Sequence, residues 1–435
     1  MAATPIDLSK AVQKALEDLY RRKVDPHTEI QPDLFKGFVD TFDLAVTEGF
    51  KDSPAVSYDF KERILHSNEV FSAFKVHRMQ EDMAARLLDG EGNLKSFEQF
   101  AEDVKDITSH QCRQWLRTEY DTAIKRAQLA ADWQRFEDEK DVLPNLRWVP
   151  STAANPSADH MVFWDTVKPI DDPFWSAHKP GDHWGCQCSL EATDEPATAT
   201  PRSGQRDEPA PGLENNPGKD GELFSDKHPY FPDSCQDCPF SKSDVSGLFT
   251  NKAKDCANCP YILDCIDKVG CKPDKEYGQR LLISNEADMK ELEDNVRAAK
   301  AILSSFPNEE IQIRRNVLIE GVKNPEYSIN KLLADRKGIE SENGVGAGFS
   351  KALKQGCSSV VIDLDMNMSE NKLNSWELAK HIQWRNQDFL TGKISSCYIV
   401  YHGKAVKITP RHFRAGTDNA RREAIAAEIK QLKPQ

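Results

Sequence analysis

The chain has no run of about 20 consecutive apolar residues, the length needed to cross a bilayer, so no helical membrane span is expected. Its opening, MAATPIDLSKAVQKAL, lacks a basic segment followed by an apolar core. A secretory signal is therefore not expected, and the chain reads as one made as a soluble cytosolic protein. Uniform charge is missing too. The formal net charge is -13 over 435 residues, yet residues 276–435 hold 24 basic against 21 acidic side chains, and residues 1–275 hold 33 against 49. The acidic front suits protein contacts, and the mildly basic tail can approach phosphates. Large apolar residues are scarce over residues 192–226, which carry five Pro and four Gly. Such a stretch is expected to be a disordered linker, because it cannot bury enough surface to offset chain entropy. Cysteine is plentiful. Eleven Cys in a cytosolic chain point to metal ligation before disulfides.

The first 140 residues are helical in pattern. Ser9 reads as an N-cap, and Ala11, Leu16, Leu19 and Tyr20 recur at helical spacing. Further helices are expected over 31–52, 60–88, from Ser96 and over 109–140. Their aromatic residues read as core, with no chemical role. From Leu146 the pattern changes to short β-like runs, Leu146–Val149 and Met161–Trp164. The stretch 156–190 then gathers three His, five large aromatics, Cys186 and Cys188. His160, Cys186 and Cys188, with His183 or His178, form a candidate set for one Zn²⁺. The alternative is that they are buried polar anchors and small packing residues.

The same stretch resembles a family. His160, Asp171, Asp172, Pro173, Phe174, Trp175, Pro180, Cys186 and Cys188, with Arg117-Thr118-Glu119, Ala123 and Ala127 upstream, resemble the signature of phage head-morphogenesis proteins, the Mu F-like minor capsid proteins. Trp164-Asp165 stands where that pattern carries a Gly, and Gln187 where it carries an Arg. The resemblance implies a component of the phage head, located in the virion, that contacts portal or capsid protein.

Residues 227–275 read as a Cys-rich module. Cys235-x2-Cys238 and Cys256-x2-Cys259 have the spacing of two zinc knuckles, each turn aiming two thiolates at one ion. A structural Zn²⁺ would give this segment a core. Cys265, Cys271 and His228 leave another ligand set or an iron–sulfur cluster open, and a thiol or disulfide cluster is the remaining alternative.

The tail reads α-β-β-α-β-α-β-β. Helices are expected at 286–305, 347–355 and Trp376–Phe389. Strands are expected at Ile311–Leu318, Tyr327–Asp335, Val360–Leu364, Cys397–Tyr401 and Ala405–Ile408. Lys323-Asn-Pro-Glu-Tyr327, Asp335, Lys354-Gln355 and Val360-Val-Ile-Asp-Leu364 resemble the tRNase domain of contact-dependent growth-inhibition toxins, related to barnase/EndoU/colicin/RelE-type ribonucleases. The resemblance implies an endoribonuclease acting on RNA, such as tRNA, with a cognate immunity protein as a further partner. Metal-free cleavage needs a base, an acid and cations around the phosphorane. Asp335, Lys337, Lys354, His381 and Arg385 are the catalytic candidates, and Arg336, Gln355, His402 and Lys404 the substrate-binding ones. His381 and Arg385, four apart, would share a helix face. A less favoured chemistry has Glu326 and Asp335 hold a divalent ion while Lys337 supports the attacking water. Each of these charges has an ordinary alternative as a solvated surface group.

The expected fold is multidomain. It comprises a helical region (1–58), a mainly α-helical head-protein domain with a small β end (59–191), the linker (192–226), the zinc module (227–275), an α+β nuclease-like domain (276–420) and a short tail (421–435). The competing functional expectation is a purely structural head protein whose last domain only binds RNA or protein.

Overall fold

The computed structural model describes residues 6–51, 56–156, 158–240, 254–317, 323–364, 373–414 and 416–432. It divides into two compact units, one of residues 1–242 with 253–262 and one of residues 243–252 with 263–435. The first is mainly helical; the second is built on a large sheet.

The first unit opens with α1 (Ser9–Tyr20), α2 (Pro32–Gly49) and α3 (Tyr58–Ala84). Next come α4 (Phe97–Asp103), α5 (Lys105–Ser109), a widened turn at His110–Gln114, and α6 (Trp115–Glu139). Gln31, Ser57 and Ser96 cap α2, α3 and α4, each side chain accepting one of the N–H groups a helix start leaves unpaired. Ser9 is the first helical residue rather than the cap, and donates its N–H to Asp7 Oδ1 at 2.9 Å. Helices α2 and α6 approach closely at small residues: a Cβ added at Gly49 would lie 2.5 Å from Ala127 Cβ. Glu119 on α6 meets the buried Lys75 of α3 at 2.8 Å, and Lys75 also donates to the Tyr230 hydroxyl at 3.0 Å. A charge survives in a core only with partners of this kind.

After α6 the chain forms β1 (Asn145–Val149), β2 (Val167–Pro169), α7 (Phe174–Ala177) and β3 (Ser189–Thr193), with an antiparallel sheet in the order β2-β1-β3. Leu146 and Trp148 face inward and pack with Phe163, Trp175, Cys188 and Leu190 against Leu129, Trp133 and Phe136 of α6. Met161–Trp164, expected as a strand, mostly lies in the tight helical turn Ala158–Phe163. So short an apolar run suits either geometry, and only its surroundings decide.

Residues 192–226 differ from the expected linker. Ala192 and Thr193 finish β3, and α8 (Pro217–Asp220) follows. Leu213, Leu223 and Phe224 are buried. Phe224 stacks on Phe71 of α3 at 4.2 Å. Composition counts only the apolar surface a segment brings itself; here α3 and α6 supply the rest. The Cys-rich stretch differs too. Phe231 and Phe240 pack on Phe74 at 4.6 and 5.3 Å, within the first unit. The boundary between the units falls inside α9 (Pro260–Gly270), so residues 227–275 do not form one module.

The second unit adds β4 (Cys271–Asp274), β5 (Gly278–Ser284), α10 (Leu292–Ser305), β6 (Ile311–Ile313), β7 (Tyr327–Ile329), β8 (Leu332–Gly338) and α11 (Val345–Lys354). It continues with β9 (Ser359–Asp363), α12 (Ser375–Gln383), α13 (Asn386–Leu390), β10 (Ser396–Tyr401), β11 (Lys404–Ile408) and α14 (Asp418–Lys430). The eight strands run in the order β11-β10-β9-β8-β7-β6-β5-β4, with β8, β9 and β10 parallel. Central parallel strands are covered on both faces and read as continuous apolar runs, as Val360-Val-Ile does. Strands β4 and β5 precede the first expected helix. Asp264 and Asp267 of α9 are tied to this unit through Arg314 at 2.8 Å and Gln312 at 3.1 Å. The expected strand Tyr327–Asp335 is a hairpin, turned by Asn330 and Lys331 with φ of 49° and 66°. Two left-handed residues match the strand twist, but no Gly advertises the turn. Helix α14 covers most of the expected tail, and Leu318 lies outside the described residues.

Candidate functional site

The richest cluster of chemical groups lies at the β end of the first unit. The turn 158–163 delivers His160, and the loop between α7 and β3 delivers Asp182, His183, Cys186 and Cys188. His160 Nε2 bonds Asp182 Oδ1 at 2.6 Å, and its Nδ1 lies 3.2 Å from Cys186 Sγ. Trp148 stands edge-on to the His160 ring at 5.1 Å, and His183 at 4.7 Å. The other oxygen of Asp182 accepts the Lys179 N–H at 3.0 Å. Among the described residues, two groups bring three ligand atoms within 4.8 Å of one another: His160, Cys186 and Cys188, and His160, Asp182 and His183. Burial opposes a charge on His160, but hydrogen bonds with Asp182 and Cys188 outweigh it and push its pKa up to about 9. Hydrogen bonding from Cys186 pulls Cys188 down to about 4, against burial and with help from His160 and Trp148. The same contact and burial push Cys186 up.

The neighbours explain how the cluster is held. Asp172 Oδ1 accepts the Phe174 N–H at 2.8 Å and the Trp175 indole donates to Pro169 O at 2.9 Å, so Asp172-Pro-Phe-Trp175 starts α7 and anchors it in the core. His178 packs on Phe163 at 4.4 Å, outside the ligand groups, with its pKa lowered by burial. Behind the loop, Arg126 of α6 is fully buried. It donates to the carbonyls of Leu223 at 2.6 Å, Gly181 and Leu213 at 2.9 Å, and Asn215 at 3.0 Å. Gly181 has φ +83°, and a Cβ there would meet Arg126 Cγ at 3.3 Å. Lys179, buried and pulled down to about 8 by desolvation, donates to Glu214 O at 2.7 Å. Sequence reasoning missed Asp182, Lys179 and Arg126, because none stands at a known ligand spacing.

Cys235, Cys238, Cys256 and Cys259 are close enough to sense one another. Burial first, then Asp226, Cys259 and Cys238, push the Cys256 thiol up; burial and Cys235 do the same to Cys259. The tight ligand groups, however, are those around His160.

In the second unit the structure gathers part of the candidate set. Lys337 Nζ lies 2.7 Å from Asp335 Oδ2 and 3.9 Å from Glu326 Oε1. Burial, then Asp335, raise the Glu326 pKa to about 8, and burial raises Asp335. Asp335 and Lys337 share the sheet face under α11, where Gly348 approaches Lys337. Arg336 points to the opposite face, bonding Asn295 at 2.6 Å, Asp363 at 3.1 Å and Glu291 at 2.7 Å. It is 4% exposed and enclosed by these partners. His381 and Arg385 do not share one helix, because the chain breaks between α12 and α13. His381 lies 3.8 Å from Glu377 and packs against Trp384, whereas Arg385 pairs with Asp388 at 2.6 Å. Lys354 is exposed at the end of α11, and Gln355 accepts the Asn324 N–H at 3.2 Å. His402 and Lys404 occupy the β10–β11 turn, His402 with φ 49°.

Residues 80–191 match the family described as phage Mu protein F like protein. The Mu-like prophage FluMu F protein of Haemophilus influenzae is 27% identical over 101 residues, which are 23% of this chain and 23% of that protein. The chain thus spans about a quarter of that relative's length. No solved structure matches this chain. The matched range takes in α6, β1, β2, the start of β3 and the whole His160 cluster. No described helix is long and apolar enough to cross a membrane.

Proposed function

We propose that this chain is a phage head-assembly protein, carried in the virion, whose first unit binds portal or capsid protein. The observation that carries this reading is the coincidence of the Mu F-like match with one cooperatively packed body, from α6 to the His160 cluster. The acidic balance of the first 275 residues, 33 basic against 49 acidic side chains, suits a protein partner rather than nucleic acid. Procapsids should retain the full chain, and cross-linking should join residues 80–191 to portal or capsid protein. Procapsids purified under mild conditions without the chain would overturn the reading. So would cross-links from 80–191 to RNA alone.

The tail supports a finer reading as a tethered nuclease. One buried carboxylate, one partly buried carboxylate and a lysine at one strand end, Asp335, Glu326 and Lys337, form an arrangement suited to phosphodiester chemistry. Because His381 and Arg385 have their own partners elsewhere, this geometry favours the metal-assisted chemistry over the metal-free one. The full chain should cut tRNA or total RNA; EDTA should stop it, Mg²⁺ or Mn²⁺ should restore it, and Lys337→Met should abolish it. Cleavage indifferent to EDTA, with 2′,3′-cyclic phosphate ends, would return the metal-free mechanism and its immunity-protein partner. No cleavage under any metal condition would leave the tail a binding domain.

A further inference from the structure

We propose that His160, Cys186 and Cys188 hold a structural Zn²⁺, with His183 completing the tetrahedron and Asp182 as the positioning residue behind His160. The inference is independent of the head-assembly reading. In a tetrahedral zinc site a His nitrogen and a Cys sulfur stand about 3.6 Å apart and two sulfurs about 3.8 Å apart. His160 Nδ1 lies 3.2 Å from Cys186 Sγ, and the ligand atoms of His160, Cys186 and Cys188 all lie within 4.8 Å of one another. His160 Nδ1 and Cys186 Sγ thus stand near the separation one ion requires, with Cys188 Sγ within reach of the same ion.

Asp182 sets the direction of the histidine. Its bond to Nε2 at 2.6 Å makes that nitrogen an N–H donor and leaves Nδ1 as the ring atom facing the sulfurs. A carboxylate behind a ligating imidazole is the usual orienting device at zinc sites. Both Asp182 oxygens are engaged, one by His160 and one by the Lys179 N–H, so Asp182 serves as orienter; His183, whose ring nitrogen now groups with His160 and Asp182, would turn toward the sulfurs to supply the fourth ligand. His183 already stands 4.7 Å from the His160 ring, nearly perpendicular to it.

Burial separates this reading from a Cys–His nucleophile. Cys188 is 2% exposed and belongs to the core of Trp148, Phe163 and Trp175, so no substrate can reach it. Two thiolates and two neutral imidazoles around a divalent ion are net neutral, which suits a buried site. The ion would pin three parts of the chain that share few regular hydrogen bonds: the turn 158–163, the α7–β3 loop and the start of β3. On binding, the metal displaces the protons that its ligand atoms carry.

The test uses the full chain. Metal analysis should find one zinc equivalent more in the wild type than in the Cys186→Ser/Cys188→Ser double variant; any zinc on the Cys235–Cys259 set is common to both. Co²⁺-substituted wild type should show a thiolate charge-transfer band that the double variant reduces. Asp182→Asn keeps every ligand and should weaken zinc about 10–100-fold against a competing chelator dye. That variant decides the matter if the double variant fails to fold. Equal zinc content in wild type and double variant, or unchanged zinc affinity in Asp182→Asn, would overturn the proposal.

Discussion

Replacing Arg126 with methionine should open the segment between Gly204 and Ser225 to protease and lower the thermal midpoint of the first unit by at least about 6 °C. The residue is 0% exposed, and its guanidinium donates to four main-chain carbonyls and to Asn215 Oδ1 at 2.6 Å. Four of those acceptors lie between Leu213 and Leu223, so one side chain of α6 holds most of the strap. A hydrogen bond to a charged group contributes roughly 1.5–3 kcal/mol. These bonds are not additive, but leaving several buried carbonyls unpaired costs about 3–5 kcal/mol. For a body of this size, each kcal/mol is about 2–4 °C. Burial pulls the Arg126 pKa down to about 10, still well above neutral, so the charge is present under ordinary conditions. Lysine should not rescue, because an ammonium cannot reach acceptors on both sides of a planar fork. Limited proteolysis with mass readout gives the result directly. Identical cleavage of wild type and Arg126→Met would mean that Phe224 and Leu213 alone hold the strap.

That strap shows where sequence reading stops. Its five Pro and four Gly describe a chain that cannot fold by itself, and that inference holds for an isolated peptide. The sequence carries no mark that Arg126, 97 residues away from Leu223, saves a partner site for it. The helices of the first unit were legible because their apolar periodicity is long, and polar residues cap α2, α3 and α4. The alternation of Leu146 and Trp148 likewise announced β1. Tertiary placement was not legible: His228, Tyr230, Phe231 and Phe240 pack on Phe71 and Phe74 of α3, and nothing within their own segment records the loan. Of the candidate site, His160, His183, Cys186 and Cys188 stood out as residue types and do converge. Asp182, which orients the histidine, looks like any loop aspartate until its 2.6 Å bond is seen. In the tail, strand periodicity exposed the central strands, but β4 at the sheet edge and β5 beside it are partly exposed, with weak alternation. Period-two alternation did contain one more fact. Asp335, Arg336 and Lys337 are consecutive in a strand, so Arg336 has to face away from the other two.

Arg336→Met should therefore act on folding rather than on substrate. The guanidinium sits among Asn295, Glu291 and Asp363, and Asp363 is 0% exposed, shared with Arg297 at 2.8 Å. Removing one partner from a buried ion network costs about 3–5 kcal/mol, because the remaining charges keep their desolvation penalty. Hydrogen exchange should report the loss in peptides covering β8 and β9, where Arg336 and Asp363 reside. Lys337→Met, on the other face and 23% exposed, removes a partner of the 1%-exposed Asp335 and should change that exchange less than Arg336→Met does. The two neighbours thus separate scaffold from chemistry. A nuclease that uses Glu326, Asp335 and Lys337 loses far more activity in Lys337→Met than its unfolded fraction explains, and in Arg336→Met only in proportion to the unfolded fraction. If Arg336→Met instead keeps wild-type exchange and loses RNA turnover alone, the network of Asn295, Glu291 and Asp363 does not anchor the sheet. Arg336 then returns to the substrate-binding role that its neighbours in sequence first suggested.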